Sequence, residues 1–200
     1  GEDQKAVDGA SAQIRTLKEG KNADYIPALA KVDPALFGIA VVTADGKVYT
    51  AGDVKTEVSI QSISKVFTMG QVIQEQGMGA IEKQIGVDAT GARFNSIIAV
   101  EAVRTVVGTG APEMNPLVNP GAISATSMVR GASSDEVWKK IIGFHNDAAG
   151  RSLGVLQDVY KSESDTNQRN QAIGALMYAY GYIKSDWQRA VDLYTRQCSI

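Results

Sequence analysis

Two hundred residues, 44% hydrophobic and 21% charged, suit a soluble globular chain of one domain or two small ones. A formal net charge of -2, with 20 basic and 22 acidic residues intermixed, argues against nucleic acid or an anionic membrane as the main partner. The one cysteine, Cys198, excludes an internal disulfide framework and fits a reducing cytoplasm, and no apolar run approaches the length of a membrane span.

Residues 5–19 carry Val7, Ala10, Ile14 and Leu17 at helical spacing, with Gly20 placed to end that helix. Lys21–Asp24 is a polar linker, and Tyr25–Val32 a short apolar segment closed by Asp33-Pro34. Phe37–Thr43 and Lys47–Ala51 are strand-like and flank the turn signal Asp45-Gly46, which predicts a β-hairpin ended by Gly52-Asp53.

Val58–Phe67 is the stretch that organises the chain. Ser62 and Lys65 lie three residues apart, so a helix here puts both side chains on one face. A serine hydroxyl needs a base to take its proton. Lysine is such a base only when neutral, and burial against apolar neighbours such as Ile63, Val66, Phe67 and Ile73 lowers its pKa toward that state. This is the Ser-x-x-Lys arrangement of acyl-transfer enzymes. On spacing alone it also fits a plain helix start with an exposed lysine. Ser59 is placed to cap this helix and Gly77 to follow its end, which sets the nucleophile near a positive helix terminus.

Residues 80–92 are mixed and glycine-punctuated. Ser96–Val107 predicts a strong helix, and a Gly/Pro-rich loop runs from Gly108 to Asn119. Asn119-Pro120 reads as an N-cap and a first helical proline, opening a small-residue helix over Pro120–Arg130. Ser133 and Glu136 form a capping box for a helix through Trp138, Ile141, Ile142 and His145 to Gly150. Leu153–Tyr160 connects to Ser162-Glu163-Ser164. Thr166–Ile183 is helical, and Ser185 caps a last helix with Val191, Tyr194 and Cys198 on one face. That helix stops in mid-pattern at Ser199-Ile200, from which C-terminal truncation is expected. The inventory is one hairpin and about six helices. A lone hairpin is marginal, so further strands are expected outside the chain.

Singly, most polar residues here have plain readings. Asn119 is a helix cap, Glu163 and Asn170 are solvated, Tyr194 is a core aromatic and Cys198 a packed core residue. His145 is the only histidine, and nothing beside it supports a triad. No histidine–cysteine cluster has metal spacing, and no glycine-rich phosphate loop occurs.

From about Asn22 onward the chain resembles the serine-dependent glutaminases, which share the β-lactamase and penicillin-binding-protein fold. The resemblance is carried by Phe37-Gly38-Ile39-Ala40, by Val58-Ser59-Ile60-Gln61-Ser62-Ile63-Ser64-Lys65-Val66-Phe67, by Asn115-Pro116-Leu117-Val118-Asn119, and further on by Ser162-Glu163, Arg169-Asn170 and Asp192-Leu193-Tyr194. It implies hydrolysis of L-glutamine to L-glutamate and ammonia through a serine acyl-enzyme, without a cofactor or metal. It makes Ser62 the nucleophile, Lys65 its base, and Ser62, Asn119, Glu163, Asn170 and Tyr194 the substrate contacts. The partner implied is a small molecule, in a cytoplasmic homo-oligomer. The fold class implied is α/β with a large helical region, β-lactamase/transpeptidase-like, lacking the C-terminal part of the sheet. Residues 1–200 would form one truncated domain, with a sheet layer at about 20–60, a helical region at about 60–200, and Ser62 at their junction. Pro120 departs from the family, which usually has alanine there. The family domain also continues past Ile200, bringing a catalytic tyrosine, a Lys-Ser-Gly strand and a second oxyanion N–H. Two other readings remain open: a β-lactam or peptide hydrolase with the same Ser-x-x-Lys chemistry, and a non-catalytic truncated chain that binds a partner through an exposed sheet edge.

Overall fold

The computed structural model describes residues 1–102 and 114–200 and divides into two compact units, Gly1–Val58 and Ser59–Ile200. The first opens with α1 (Glu2–Ile14), which packs on both strands of the unit. Gln4 Nε2 donates to the Thr50 carbonyl at 3.0 Å. The helix stops well short of Gly20. Thr16 Oγ1 donates to the Gln13 carbonyl at 2.9 Å, and the Leu17 N–H turns back to the Ile14 carbonyl, also at 2.9 Å, which tightens the end and leaves Leu17 exposed. A short α2 (Pro27–Ala30) follows.

Strands β1 (Gly38–Val42) and β2 (Val48–Gly52) pair antiparallel, with Ile39 opposite Ala51 and Val41 opposite Tyr49. The expected turn forms, with Gly46 at φ 83° and the Thr43 N–H bonded to the Lys47 carbonyl at 3.0 Å. Asp53 closes the other end twice over: its N–H donates to the Phe37 carbonyl at 2.8 Å, and its carboxylate accepts the Phe37 N–H at 3.0 Å.

The second unit is helical: a 3-10 turn (Gln61–Ile63), α3 (Ser64–Gln76), α4 (Met78–Gln84), α5 (Ile98–Ala102), α6 (Asn119–Met128), α7 (Ser134–Ala149), α8 (Gln157–Ser164), α9 (Gln168–Ala179) and α10 (Trp187–Cys198). The described residues thus hold ten helices rather than about six. Helices of four to eight residues, such as α2, α4 and α8, span too few turns for a 3.6-residue period to be legible. The helix expected over Ser96–Val107 is described as Ile98–Ala102: Ser96 and Ile97 precede it without being helical, with Ser96 Oγ accepting the Ile98 N–H at 3.2 Å, and residues 103–107 and the first part of the following loop lie outside the described residues.

Helix α6 is the centre of the unit and packs against α3, α9 and α10. Every residue from Asn119 to Thr126 is buried, so the expected close packing of its small side chains is realised. A Cβ on Gly121 would stand 1.9 Å from the Asn115 carbonyl oxygen, so only glycine fits there. Fully buried Ile123, Ile141, Ile173, Met177 and Leu193 fill the surrounding core, each contributing roughly 1.5–3 kcal/mol through burial. The capping box on α7 forms with one change. The Glu136 N–H donates to Ser133 Oγ at 3.1 Å, but the Glu136 carboxylate accepts from the Ala132 N–H, at 3.0 Å. Helix α10 is capped by Asp186, whose Oδ1 accepts the N–H groups of Gln188 and Arg189, and not by Ser185. A carboxylate one residue closer to the helix holds both amides and adds its charge at the positive terminus.

Candidate active site

Ser62 lies in the 3-10 turn and Lys65 in the first turn of α3, so the two belong to adjoining helical segments rather than one α-helix. Their three-residue spacing survives, because a 3-10 turn also brings i and i+3 together. Lys65 Nζ donates to Ser62 Oγ at 2.9 Å. Ser59 does not cap the helix. Its hydroxyl accepts instead from Gln61 Nε2 at 2.8 Å. Gln61 itself has φ 49°, a left-handed conformation that L-residues other than glycine, asparagine and aspartate rarely adopt. The backbone kinks immediately before the candidate nucleophile, and a glutamine carries no sequence signal for that kink.

Lys65 is only 3% exposed, and burial lowers its pKa, with the charge of an ionised Glu163 pulling part of the way back. The Phe94 ring centroid lies 5.7 Å from Nζ, and that of Tyr194 lies 6.0 Å away. Phe94 also accepts the Asn119 N–H on its backbone carbonyl at 2.7 Å. It was not a candidate from sequence, because it lies in a stretch with no legible period.

The other four predicted residues come from four different helices. Asn119 opens α6, Glu163 is in the last turn of α8, Asn170 in the first turn of α9, and Tyr194 in the middle of α10. All four are buried, against the plain expectation of a cap and two solvated side chains. Asn119 caps nothing, since Val118 precedes the helix. Its side chain is spent inside: Nδ2 donates to Asn170 Oδ1 at 3.0 Å, and Oδ1 accepts the Tyr194 hydroxyl at 3.1 Å. Pro120 sits in the first turn of α6, where no intrahelical N–H is required, so this departure leaves the backbone intact.

Glu163 has one carboxylate oxygen buried without a hydrogen-bond partner among the described residues. Burial pushes its pKa up to about 7, and the charge of Lys65 offsets only part of that rise. Read alone, Glu163 was expected to be solvated, beside a connecting stretch. It is on α8, and Tyr160 of that helix donates its hydroxyl to Asp192 on α10, while Asn167 before α9 donates to Thr195 Oγ1 at 3.1 Å. These bonds tie α8 and α9 to α10 and bring Glu163 and Asn170 inward.

The arrangement therefore joins a desolvated amine on a hydroxyl, a buried carboxylate with an open oxygen, and a set of neutral hydrogen-bonding groups. Such a set can activate a nucleophile, pair with an ammonium, and hold an amide or carboxylate. His145 lies apart from it. Its Nδ1 is 2.8 Å from the Ile141 carbonyl oxygen, its ring stacks obliquely on Phe67 with centroids 5.0 Å apart, and burial lowers its pKa. Cys198 is fully enclosed, and burial pushes its thiol up to about 12, which leaves it protonated and unreactive. No helix among the described residues is long and apolar enough to cross a membrane.

A family model described as Glutaminase matches residues 20–200. A glutaminase of Colwellia psychrerythraea is 47% identical over 98% of this chain and 61% of its own length. One from Mycobacterium ulcerans is 44% identical, over 98% of this chain and 59% of its own. Among solved structures, the probable glutaminase ybaS superposes with a TM-score of 0.91 at 42% identity, covering 98% of this chain and 62% of that one. The glutamate form of Mglu superposes with a TM-score of 0.87 at 29% identity, covering 98% and 44%. The chain thus spans about three fifths of the length of the curated relatives it matches.

Proposed function

The chain belongs to the glutaminase family, and on that premise we propose that it hydrolyses the side-chain amide of L-glutamine to give L-glutamate and ammonia through a Ser62 ester. The observation that supports this most is the buried Lys65 amine 2.9 Å from Ser62 Oγ. Neutral Lys65 takes the Ser62 proton as Oγ bonds to the amide carbon. The Ser62 backbone N–H, at a helix start, meets the oxyanion. As the carbon–nitrogen bond breaks, the proton on Lys65 passes to the departing nitrogen and ammonia leaves. Water, deprotonated by Lys65 in turn, then opens the ester.

The amino-acid end of the substrate falls to the remaining residues. Ionised Glu163 pairs with the α-ammonium, which gives its open oxygen a partner. Asn119, Asn170 and Tyr194 hold one another and present neutral donors and acceptors to the carboxylate and amide. A hydrolase of β-lactams or peptides has no need of this amino-acid clamp. The wider architecture proposed is β-lactamase/transpeptidase-like, on the strength of a Ser-x-x-Lys pair placed at the start of a buried helix. The reduced, enclosed Cys198 is in keeping with a cytoplasmic setting.

The test is ammonia release from glutamine by the protein and by Ser62→Ala, with a chromogenic β-lactam as the competing substrate. Glutamine turnover that disappears in Ser62→Ala supports the proposal. Equal turnover in both proteins removes Ser62 from the mechanism, and β-lactam turnover without glutamine turnover replaces the substrate.

A further inference from the structure

We propose that Gln197 is the positioning residue of this site, a buried hub that fixes the Ser62–Lys65 pair against α10. This rests on the Ser62–Lys65 reading above. Gln197 is wholly buried on α10, one turn after Tyr194. Its Oε1 accepts from Thr68 Oγ1 at 2.9 Å, and its Nε2 faces Ser64 Oγ at 3.5 Å. Ser64 and Thr68 are the residues just before Lys65 and one turn after it on α3, so Gln197 grips that helix on both sides of the lysine. Ser64 Oγ in turn lies 3.7 Å from Cys198 Sγ. A third contact reaches α6: Thr126 Oγ1 stands 3.4 Å from Gln197 Oε1. That contact is weak, because Thr126 has one proton and directs it to the Ala122 carbonyl at 2.9 Å.

A buried amide is an expensive way to join helices if packing is the sole purpose, because an apolar side chain of the same size needs no partners. What the amide adds is register. Apolar contacts tolerate small slides of one helix along another, whereas two directional bonds astride Lys65 do not. Further along, the Ile60 N–H donates to the Ile200 carbonyl at 2.8 Å, so residues after α10 also hold the backbone that leads into the Ser62 turn. Residues 197–200 thereby hold both the backbone that leads into the Ser62 turn and the helix turn that carries Lys65.

The unequal bonds predict a graded series. Gln197→Leu should slow Ser62 most, Thr68→Val less, and Thr126→Val hardly at all. The direct readout is the rate at which a fluorophosphonate labels Ser62, followed by intact mass with Ser62→Ala as background, because it does not depend on which amide is hydrolysed. Loss of the Thr68 bond should slow labelling by about tenfold, the equivalent of one hydrogen bond, and Gln197→Leu should slow it further. Thr126→Val should label within about twofold of the parent. The acid limb of the labelling rate should also move in Thr68→Val, since a displaced Lys65 changes its solvation, and a merely structural role would leave that limb in place. Both threonine-to-valine changes keep shape, so they test the idea even if Gln197→Leu does not fold. Equal labelling of parent and Thr68→Val overturns the hub, as does slowing in proportion to lost thermal stability across the series. Graded labelling without any ammonia from glutamine keeps the hub and overturns the glutamine assignment instead.

Discussion

The Tyr194 hydroxyl donates to Asn119 Oδ1 at 3.1 Å, joining the middle of α10 to the first residue of α6. With Asn170 bonded to the other side of Asn119, the three residues form a chain of neutral polar groups in the core. Each has a plain role when read alone, and it is their mutual bonding that sets them apart as a candidate site.

Lys65→Met should abolish base catalysis and raise stability together. Ammonia release should fall by about 10²–10⁴-fold, the usual contribution of a positioned base. Burial lowers the lysine pKa, so the folded state disfavours its charged form. That cost is complete below the folded pKa and vanishes as pH rises to the ordinary 10.5. The variant should therefore melt higher than the parent at pH 6, with the gap closing toward high pH. Thermal melts across this range check it, and a lower melting point for the variant at pH 6 would count against a buried, desolvated amine.

Glu163 should give the reaction an acid limb near neutrality. Its carboxyl is pushed up from 4.5 to about 7, mainly by burial. Pairing with an ammonium needs the ionised form, so kcat/KM for glutamine should rise with pH through about 7. Glu163→Gln should raise KM and remove that limb. The same shift acts on stability with the opposite sense. The ionised form is disfavoured in the fold, so its cost is absent below pH 4.5 and complete above about 7, amounting to about 3 kcal/mol. Glu163→Gln should thus be the more stable protein at pH 8 and lose that advantage on acidification, which denaturant titrations at the two pH values measure.

Gln61 predicts a difference between two substitutions. Glycine takes a positive φ freely, whereas a β-branched side chain resists it. Gln61→Val should be less stable than Gln61→Gly by about 1–2 kcal/mol. Chemical denaturation of both proteins decides it, and equal midpoints would mean that the turn relaxes.

Gly121→Ala should disrupt the substrate end of the site. The new Cβ meets backbone of residues 114 and 115, which cannot swing aside as a side chain would. A loss of about 3 kcal/mol or more follows from overpacking of this kind. Because α6 begins at Asn119, the surviving folded protein should show a raised KM for glutamine, measurable by initial rates.

Legibility from sequence followed the range of the forces involved. The hairpin, the Ser133 cap of α7 and the closeness of Ser62 to Lys65 depend on residues a few positions apart and formed, although the Glu136 carboxylate turned to Ala132 and the serine lies in a 3-10 turn before the helix of its lysine. The helix caps at Ser59, Asn119 and Ser185 formed differently: Gln61 takes the Ser59 hydroxyl, Asp186 is the nearer and charged cap beside Ser185, and Asn119 is turned inward by Asn170, 51 positions away, which local pattern does not reveal. Glu163 and Asn170 were legible only through the family motifs. Nothing in their own surroundings distinguishes a buried carboxylate from a solvated one, since the helices that bury it arrive from elsewhere in the chain. Gln197 was silent for the same reason: its partners lie 129 and 133 positions away.

Those long separations have a consequence for biosynthesis. The Ser64–Cys198 and Thr68–Gln197 contacts close loops of 134 and 129 positions, so the nucleophile turn and its lysine are translated long before the helix that fixes them. Until α10 leaves the ribosome, the helix turn that carries Lys65 lacks the partners that residues 197 and 198 give to Ser64 and Thr68 on either side of it.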